Sequence, residues 1–535
     1  MNQPAAWSKA DRLASPGMAA VLGAGAWLIL AAGPAPQLFY PADVAVYLDA
    51  CHRVALGQSL AADFTFPIGP AGLLPVALAM RWFGADVTAL AVGSAMAWGI
   101  FGTLAWLAAR PRMPAALAAT FAIFVAATAA APYTLDFGGW RTLSYGMVYN
   151  RLAWSALCLA ATTLMPRRDG RDSPLAAAGL GAGTIWLWAL KPNYLVALLP
   201  LVAWNFLQNR ARGRWLLQAG AGGLAMFALV RACVPFSPDG YVRNHFAMAR
   251  AAQEGSVAVY SGARMLRENL GIVLCLAAAW AGALKVAIPA ERRLALGASL
   301  VALAAGTLLA NLANNQFSEI PVWGALGWLA AACVAAAPSR GGFATAALVG
   351  GVACGLAFTW RPVASLAYNY AWKRHHAPGE PAALDVASPA WSGLPMRPVP
   401  GETTSPDADL ESPGCYAAWL NEGLGQLSRM PAARGPILCL DWNNPFPFAT
   451  GTVPAKGDEV AWHVGRYIGR ANHPDAQHLL AQAAIVMEPR RSMQPESLAF
   501  KQDLFGPGLR ALFTVASESG QWRIWTRRPA VTASR

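Results

Sequence analysis

Long apolar runs dominate the first 360 residues of this chain. Runs of roughly 16–24 residues alternate with short breaks rich in Arg, Pro or Gly, a pattern typical of a protein that crosses a membrane several times. Residues 69–83 are apolar but shorter, and they predict a helix that lies along the outer membrane surface. About 11 spans are predicted, at residues 18–33, 86–109, 113–131, 151–166, 174–190, 193–208, 215–233, 269–288, 294–312, 320–337 and 342–360.

Basic residues at the breaks predict the orientation of these spans. If residues 69–83 lie outside, the basic residues of every short break fall on one side, which the positive-inside rule identifies as the cytoplasm. Lys9 and Arg12 precede the first run as in a signal peptide, but the many following spans favour an uncleaved first helix. We therefore expect a multi-pass protein of a bacterial inner membrane, with a cytoplasmic N-terminus and a periplasmic C-terminal domain.

Beyond residue 360 the apolar runs stop, and the composition becomes mixed. Residues 361–413 are rich in Pro and predict a linker, while residues 414–535, here called the C-terminal domain, predict a small α/β domain outside the cytoplasm. Its predicted elements are strands at 436–440 and 483–487, a helix near 460–469 and a hairpin at 512–525.

Two details of the C-terminal domain bear on chemistry. The loop at residues 441–448 follows the end of a strand, where α/β domains often bind ligands, although simple packing onto the membrane surface explains it equally. Cys415 and Cys439 would lie on the oxidising side of the membrane, where a disulfide between them is compatible with the sequence.

Composition agrees with a polytopic transmembrane helical bundle that is mainly α, with the small α/β domain added. Hydrophobic residues form 56% of the chain and charged residues only 13%, which excludes an ordinary soluble protein. The net charge of +13 does not indicate nucleic acid, because the Arg residues cluster at the ends of spans, where they set topology and contact anionic membrane lipids.

The loop between the first span and residue 69, here called the first loop, concentrates acidic residues. Residues 41–56 predict a helix that has Pro at its start and Gly57 as its stop. Asp43 falls in the first turn, where the helix dipole favours an ionised carboxylate, and it shares a face with Tyr47. Carboxylates placed where a membrane helix emerges are candidates for function, because acidic residues are costly near hydrocarbon.

Three acidic residues of the first loop each have a structural alternative. Asp43 would serve as an N-terminal cap, and Asp49 would form a surface ion pair with Arg53, four residues later. Asp63 precedes an aromatic and Pro-rich turn, which it would cap. Position favours Asp43 as a catalytic residue, with Asp49 and Asp63 as further candidates.

The second outer loop mixes aromatic and polar residues. Asp136, Arg141, Tyr149 and Asn150 together offer a carboxylate, a cation and hydrogen-bonding groups, which are the groups that sugar sites use. The alternative is the aromatic belt that membrane proteins place at the lipid interface.

Cations on the outer side form a third set of candidates. Lys191 interrupts two apolar runs, and it would hold a lipid phosphate or extend its ammonium to the interface. Arg243 and Arg250 lie in residues 235–269, which predict either a cationic surface that holds a phosphate or a solvated pair of helices.

Residues 42–70 resemble the GT-C superfamily of membrane glycosyltransferases, which includes protein O-mannosyltransferases and aminoarabinose transferases. The shared features are an Asp and a Tyr in a helix, then a Gly, a second Asp and a Pro-rich turn. The resemblance implies transfer of a sugar from a polyprenyl-phosphate donor to a glycan, lipid or protein acceptor, with Asp43 as base and Asp136 in support. It implies no nucleotide cofactor. The adjacent acidic pair of several branches is missing here, which leaves open whether a divalent metal is needed and which residue is the base.

Two other classes of function remain alternatives. A transporter or flippase of a lipid-linked sugar would show internal repeats and broken helices, and no convincing repeat is present. A membrane sensor built around the C-terminal domain would not require polar residues in several loops on one side. The sequence has no Walker motif, nucleophile elbow or Cys/His metal spacing.

Overall fold

The computed structural model describes residues 9–135, 140–168, 174–209, 211–254, 269–313, 319–337, 341–374, 384–397, 410–430 and 435–529. Helices form most of the first 374 residues. They are α1 (Lys9–Ala32), α2 (Pro41–Ala55), α3 (Pro70–Phe83), α4 (Thr88–Ala109), α5 (Ala115–Ala130), α6 (Val148–Ala161), α7 (Pro174–Leu190), α8 (Leu195–Gln208), α9 (Arg212–Cys233), α10 (Pro238–Glu254), α11 (Leu270–Ala287), α12 (Ala290–Ala313), α13 (Pro321–Ala335) and α14 (Gly342–Arg374).

Each of the predicted spans corresponds to one of these helices. Among the described residues, 6 helices are long and apolar enough to cross a membrane: α4, α9, α11, α12, α14 and the part of α1 from Ala14 to Ala32. Helices α5, α7 and α13 are apolar but shorter. A helical bundle with a small sheet near the C-terminus results, so the predicted fold class is confirmed.

Helix α3 forms where the sequence predicts a helix, but it is an interior element. Its residues from Pro70 to Met80 are buried, and it packs against α2, α4 and α7. Only the final residues, Arg81, Trp82 and Phe83, are exposed. The sequence did not indicate that neighbouring helices cover its apolar residues, and the position of α3 at the outer membrane surface stays a prediction.

The predicted linker is more ordered than its Pro content suggests. Helix α14 continues to Arg374, so a boundary at residue 360 falls inside a helix. Trp391, in a short 3-10 turn, is fully buried. The backbone of Gln37 accepts a hydrogen bond from Arg397 at 3.0 Å and donates one to Pro395 at 2.8 Å. This part of the linker is thus packed beside the chain that follows α1.

The C-terminal domain contains a mixed sheet of four strands, in the order β2 (Ile437–Cys439), β4 (Ile485–Pro489), β6 (Trp522–Arg527) and β5 (Phe513–Glu518). Strands β2 and β4 are parallel, and the other neighbours are antiparallel. Alternate strand residues enter two different cores, as the two-residue period of a strand requires. Ile485 and Met487 join the large core, which also contains the membrane helices, whereas Val486 faces a smaller core. The elements are α15 (Pro413–Leu427), β2 (Ile437–Cys439), α16 (Phe446–Thr450), β3 (Asp458–Glu459), α17 (Ala476–Gln482), β4 (Ile485–Pro489), α18 (Pro495–Leu512), β5 (Phe513–Glu518) and β6 (Trp522–Arg527).

The strands and the hairpin of this domain are confirmed, while two other expectations are wrong. Residues 460–469 form successive turns instead of a helix, and Gly465 has a positive φ of 76°, which an α-helix does not accommodate. Cys415 and Cys439 are both buried and neither is in a disulfide, so the bond considered for them is not formed.

The C-terminal domain is joined to the first loop by backbone pairing. Strand β1 (Phe64–Thr65) of the first loop pairs in parallel with β3. The Gln58 side chain donates a hydrogen bond to the Pro454 carbonyl at 2.8 Å. The first loop and the C-terminal domain therefore form one continuous surface, and the candidate site lies where they meet.

Candidate active site

A cavity lies between the first loop, the start of α6 and the C-terminal domain. Its volume is about 40 Å³, enough for a few water molecules, so a sugar would have to displace some of the lining side chains. Aromatic rings and one carboxylate dominate its wall. The lining residues are Asp43, Val46, Tyr47, Phe66, Pro67, Ile68, Met147, Tyr149, Trp442, Ala461 and Tyr467.

Asp43 brings the carboxylate to this cavity. It lies in the first turn of α2, whose start is fixed by Pro41 and by Tyr40 in a left-handed conformation with a φ of 53°. No side chain caps this helix, so the capping alternative for Asp43 is not realised. Among the described residues, the Asp43 carboxylate has neither a hydrogen bond nor an ion pair, and it is acted on only by burial and by more distant charges.

The environment of Asp43 makes it a better proton acceptor than an ordinary aspartate. Burial raises the pKa of its carboxyl to about 6, while the guanidinium of Arg466 lowers it and the carboxylate of Glu411 raises it. A carboxylate with this pKa is mostly ionised at neutral pH and can still hold a proton briefly.

Two cations flank the same cavity. The ammonium of Lys191 lies 5.2 Å from the centre of the Tyr149 ring, and the guanidinium of Arg466 lies 5.3 Å from that of the Tyr467 ring. Both rings line the cavity. Burial and then the nearby charge of Arg466 lower the pKa of the Lys191 ammonium to about 7, so a bound anion would favour its charged form. Arg466 also attracts Asp43.

Asp49 and Asp63 make structural contacts outside this cavity. The ion pair between Asp49 and Arg53 forms with an Nε–Oδ2 distance of 2.9 Å, but it is buried instead of lying on the surface. Asp63 accepts a hydrogen bond from the Ser59 backbone at 2.9 Å, and its other oxygen lies 3.0 Å from Nζ of Lys456. These contacts favour the structural alternatives for both residues.

Of the three uncharged candidate residues, two line the cavity and the third is buried nearby. Tyr149 lines the cavity. Tyr47 also lines it, but its hydroxyl donates to the Gly72 carbonyl at 2.8 Å and so fixes α2 to α3. Asn150 is buried and accepts a hydrogen bond from the Tyr194 hydroxyl at 2.9 Å.

The remaining predicted cations are exposed and do not line the cavity. Arg141 stacks on Trp140, with 4.7 Å from its guanidinium carbon to the ring centre. Arg243 pairs with Asp239 at 2.8 Å, and both side chains are about three-quarters exposed, at 77% and 74%. Arg250 is exposed on the same helix, α10. Asp136, the supporting carboxylate of the prediction, lies outside the described residues.

The C-terminal domain contributes residues to the site that the sequence indicates only in part. Trp442 belongs to the loop that follows β2, whose position at the end of a strand predicts ligand binding. Ala461, Arg466 and Tyr467 carried no such signal, because they belong to the segment for which the pattern predicts a helix.

The donor set does not fit a metal site. Asp43 is the one carboxylate among the described residues that line the cavity. Across the described parts of the chain, no group of three or more His, Cys, Asp or Glu side chains could hold a metal ion.

No protein-family model matches this chain, and no curated protein matches it. Two crystal structures of ArnT from Cupriavidus metallidurans are similar to it over 96% of this chain and 98% of theirs. The structure bound to undecaprenyl phosphate has a TM-score of 0.46 and 12% identity, and the apo structure has 0.47 and 14%. At these values the similarity carries no argument about activity.

Proposed function

We propose that this chain is a glycosyltransferase of a bacterial inner membrane, which moves a sugar from a polyprenyl-phosphate donor to a cell-envelope acceptor at the periplasmic face. One observation supports it most: the Asp43 carboxylate lines a buried cavity without a hydrogen bond or ion pair to any described residue. Asp43 is half-buried, and a partly desolvated charge that has no partner is costly, so it is more readily explained as a reacting group than as a structural one.

The reaction needs a base and a group that accepts negative charge. The acceptor hydroxyl gives its proton to Asp43, and its oxygen forms a bond to the anomeric carbon of the donor. The bond between that carbon and the phosphate oxygen breaks, and the electron pair leaves with the polyprenyl phosphate. Asp43 supplies general-base catalysis, while the nearby ammonium of Lys191 stabilises the phosphate as its charge grows.

The aromatic wall suits the donor. Sugar rings present apolar faces as well as hydroxyl edges, and the rings of Phe66, Trp442 and Tyr467 provide flat apolar surfaces. The long apolar helices would hold the protein in a bilayer, where the polyprenyl chain of the donor also lies. The resemblance of the first loop to membrane glycosyltransferases points to the same class of reaction.

A test must separate a transferase from a flippase of the same lipid-linked sugar. Mass spectrometry of envelope glycans and lipids from cells that lack the protein identifies the sugar that is missing and the donor that accumulates. That donor is then incubated in detergent with purified protein and with envelope extract from the same cells. We expect an acceptor heavier by one sugar, together with free polyprenyl phosphate. A flippase would leave the donor intact, because it breaks no bond and detergent removes the two membrane sides between which it works. A donor that stays intact would therefore contradict the proposal.

A further inference from the structure

Arg466 is held at the cavity by the C-terminal domain. Its backbone N–H donates to the His463 carbonyl at 3.1 Å within the tight turns around Gly465. Its guanidinium lies over the Tyr467 ring, and it acts electrostatically on Tyr149, a cavity residue that belongs to the membrane part. Arg466 therefore stands at the junction of the two parts of the protein.

The charges around Arg466 are unbalanced. Arg466 and Lys191 repel each other, and neither has an ion pair with a described residue. Asp43 is the acidic group that acts on Arg466, and it is itself without an ion pair within the described part of the chain. Arg466 and Lys191 are like charges held near each other in a partly buried place, so an anion bound between them would relieve their repulsion.

We propose that the C-terminal domain completes the active site, and that its Arg466 binds the phosphate of the lipid-linked donor together with Lys191. This inference rests on the proposed function. A guanidinium is well suited to phosphate, because its planar N–H groups can donate two parallel hydrogen bonds. The donor phosphate carries one negative charge and the departing polyprenyl phosphate carries up to two, so a second cation would stabilise the leaving group more than the donor.

The position of Arg466 also gives it a second effect, on the base. The groups that act on Asp43 are Arg466, which lowers its pKa, and Glu411, which raises it. The other titratable groups on the cavity wall include Tyr467 and Tyr47, whose pKa values are raised by burial, so these two stay neutral near pH 7. Removal of Arg466 should therefore raise the pKa of Asp43.

Binding of undecaprenyl phosphate and of undecaprenol, which lacks the charge, separates phosphate recognition from recognition of the lipid chain. The full-length protein is compared with Arg466→Gln, Arg466→Lys and the control Arg470→Gln, which removes an exposed arginine four residues away. We expect Arg466→Gln to weaken undecaprenyl phosphate binding about 10- to 100-fold, since a hydrogen bond to a charged group contributes roughly 1.5–3 kcal/mol. Arg466→Lys should recover part of this affinity, and binding of undecaprenol should not change.

The pH dependence of transfer gives an independent readout. In Arg466→Gln the acid limb of the rate profile should move to higher pH, whereas a purely structural loss would lower the rate equally at all pH values. Unchanged binding of undecaprenyl phosphate by a folded Arg466→Gln protein would overturn the inference and leave the proposed function standing. A wild-type protein that binds both lipids equally would instead refute the phosphate-linked donor, and the inference would fail with it.

Discussion

The guanidinium of Arg53 in the first loop lies 3.4 Å from the carboxylate of Asp458 in the C-terminal domain. The same side chain lies 2.9 Å from Asp49 and donates to the Ala455 carbonyl at 2.8 Å. All three charged side chains are almost completely buried. One arginine thus links the base-bearing helix α2 to the domain that carries Arg466.

Loss of this link should destabilise the protein. Arg53→Met removes the cation and leaves Asp49 and Asp458 buried without it, a change that typically costs about 3–5 kcal/mol. The matched control is Arg243→Met, which breaks a pair of the same spacing between exposed side chains and should have little effect on stability. Thermal unfolding of the purified variants measures the difference. Equal and small effects would show that Arg53 does not hold the two parts together.

Lys191 should bind the donor phosphate without contributing to stability. Lys191→Met keeps most of the apolar stem and removes the ammonium, so affinity for undecaprenyl phosphate should fall about 10- to 100-fold. Lys285→Met is a close control, because Lys285 also lies over an aromatic ring, at 5.0 Å from the centre of Phe343. If both variants bind as the wild type does, Lys191 is only an interfacial lysine.

The rate of transfer should fall on the acid side of neutrality. Asp43 must be ionised to accept a proton, and its pKa is raised by burial to about 6. Above pH 7 the base is almost fully ionised, and below pH 6 the ionised fraction falls nearly tenfold for each pH unit. Measurements of kcat/KM between pH 5 and 8 should show this limb, and a flat profile would argue against Asp43 as the base.

The orientation of the chain is a separate prediction. A reporter fused after the last residue should be active in the periplasm, and one fused after Arg293 should be active in the cytoplasm, because the basic breaks alternate in that way. A C-terminus found in the cytoplasm would place the cavity on the wrong side for a lipid-linked donor of the periplasmic face.

Local signals made the helices of this protein predictable. Pro41 and Gly57 define the start and the stop of α2, and this placed Asp43 in the first turn. By contrast, the helix predicted near residues 460–469 does not form. The chain turns at Gly465, and the apolar residues around this turn are buried in two different cores instead of forming one face of a helix. The burial of α3 was also missed, since composition does not distinguish a covered apolar helix from one at a surface.

Only some of the residues that form the site could be predicted from the sequence. Asp43, Tyr47 and Tyr149 lie in segments whose spacing carries local information. Trp442 and Arg466 reach the cavity through pairing of β1 with β3, which joins residues nearly 400 positions apart in the chain. Contacts of that range leave no periodic trace in a single sequence, so the contribution of Arg466 emerged only from the structure.

Transfer by purified Asp43→Asn tests the central claim most directly, with Asp239→Asn as the matched control at an exposed aspartate. The assay uses the donor that accumulates in cells lacking the protein, and the acceptor is followed by mass spectrometry. A general base typically raises a reaction rate about 10²–10⁴-fold, so the rate of sugar transfer by Asp43→Asn should fall by that factor. The variant should still bind undecaprenyl phosphate. Asp239→Asn should transfer as the wild type does. Full activity in Asp43→Asn would contradict the account and return the search for the base to Asp49 and Asp63.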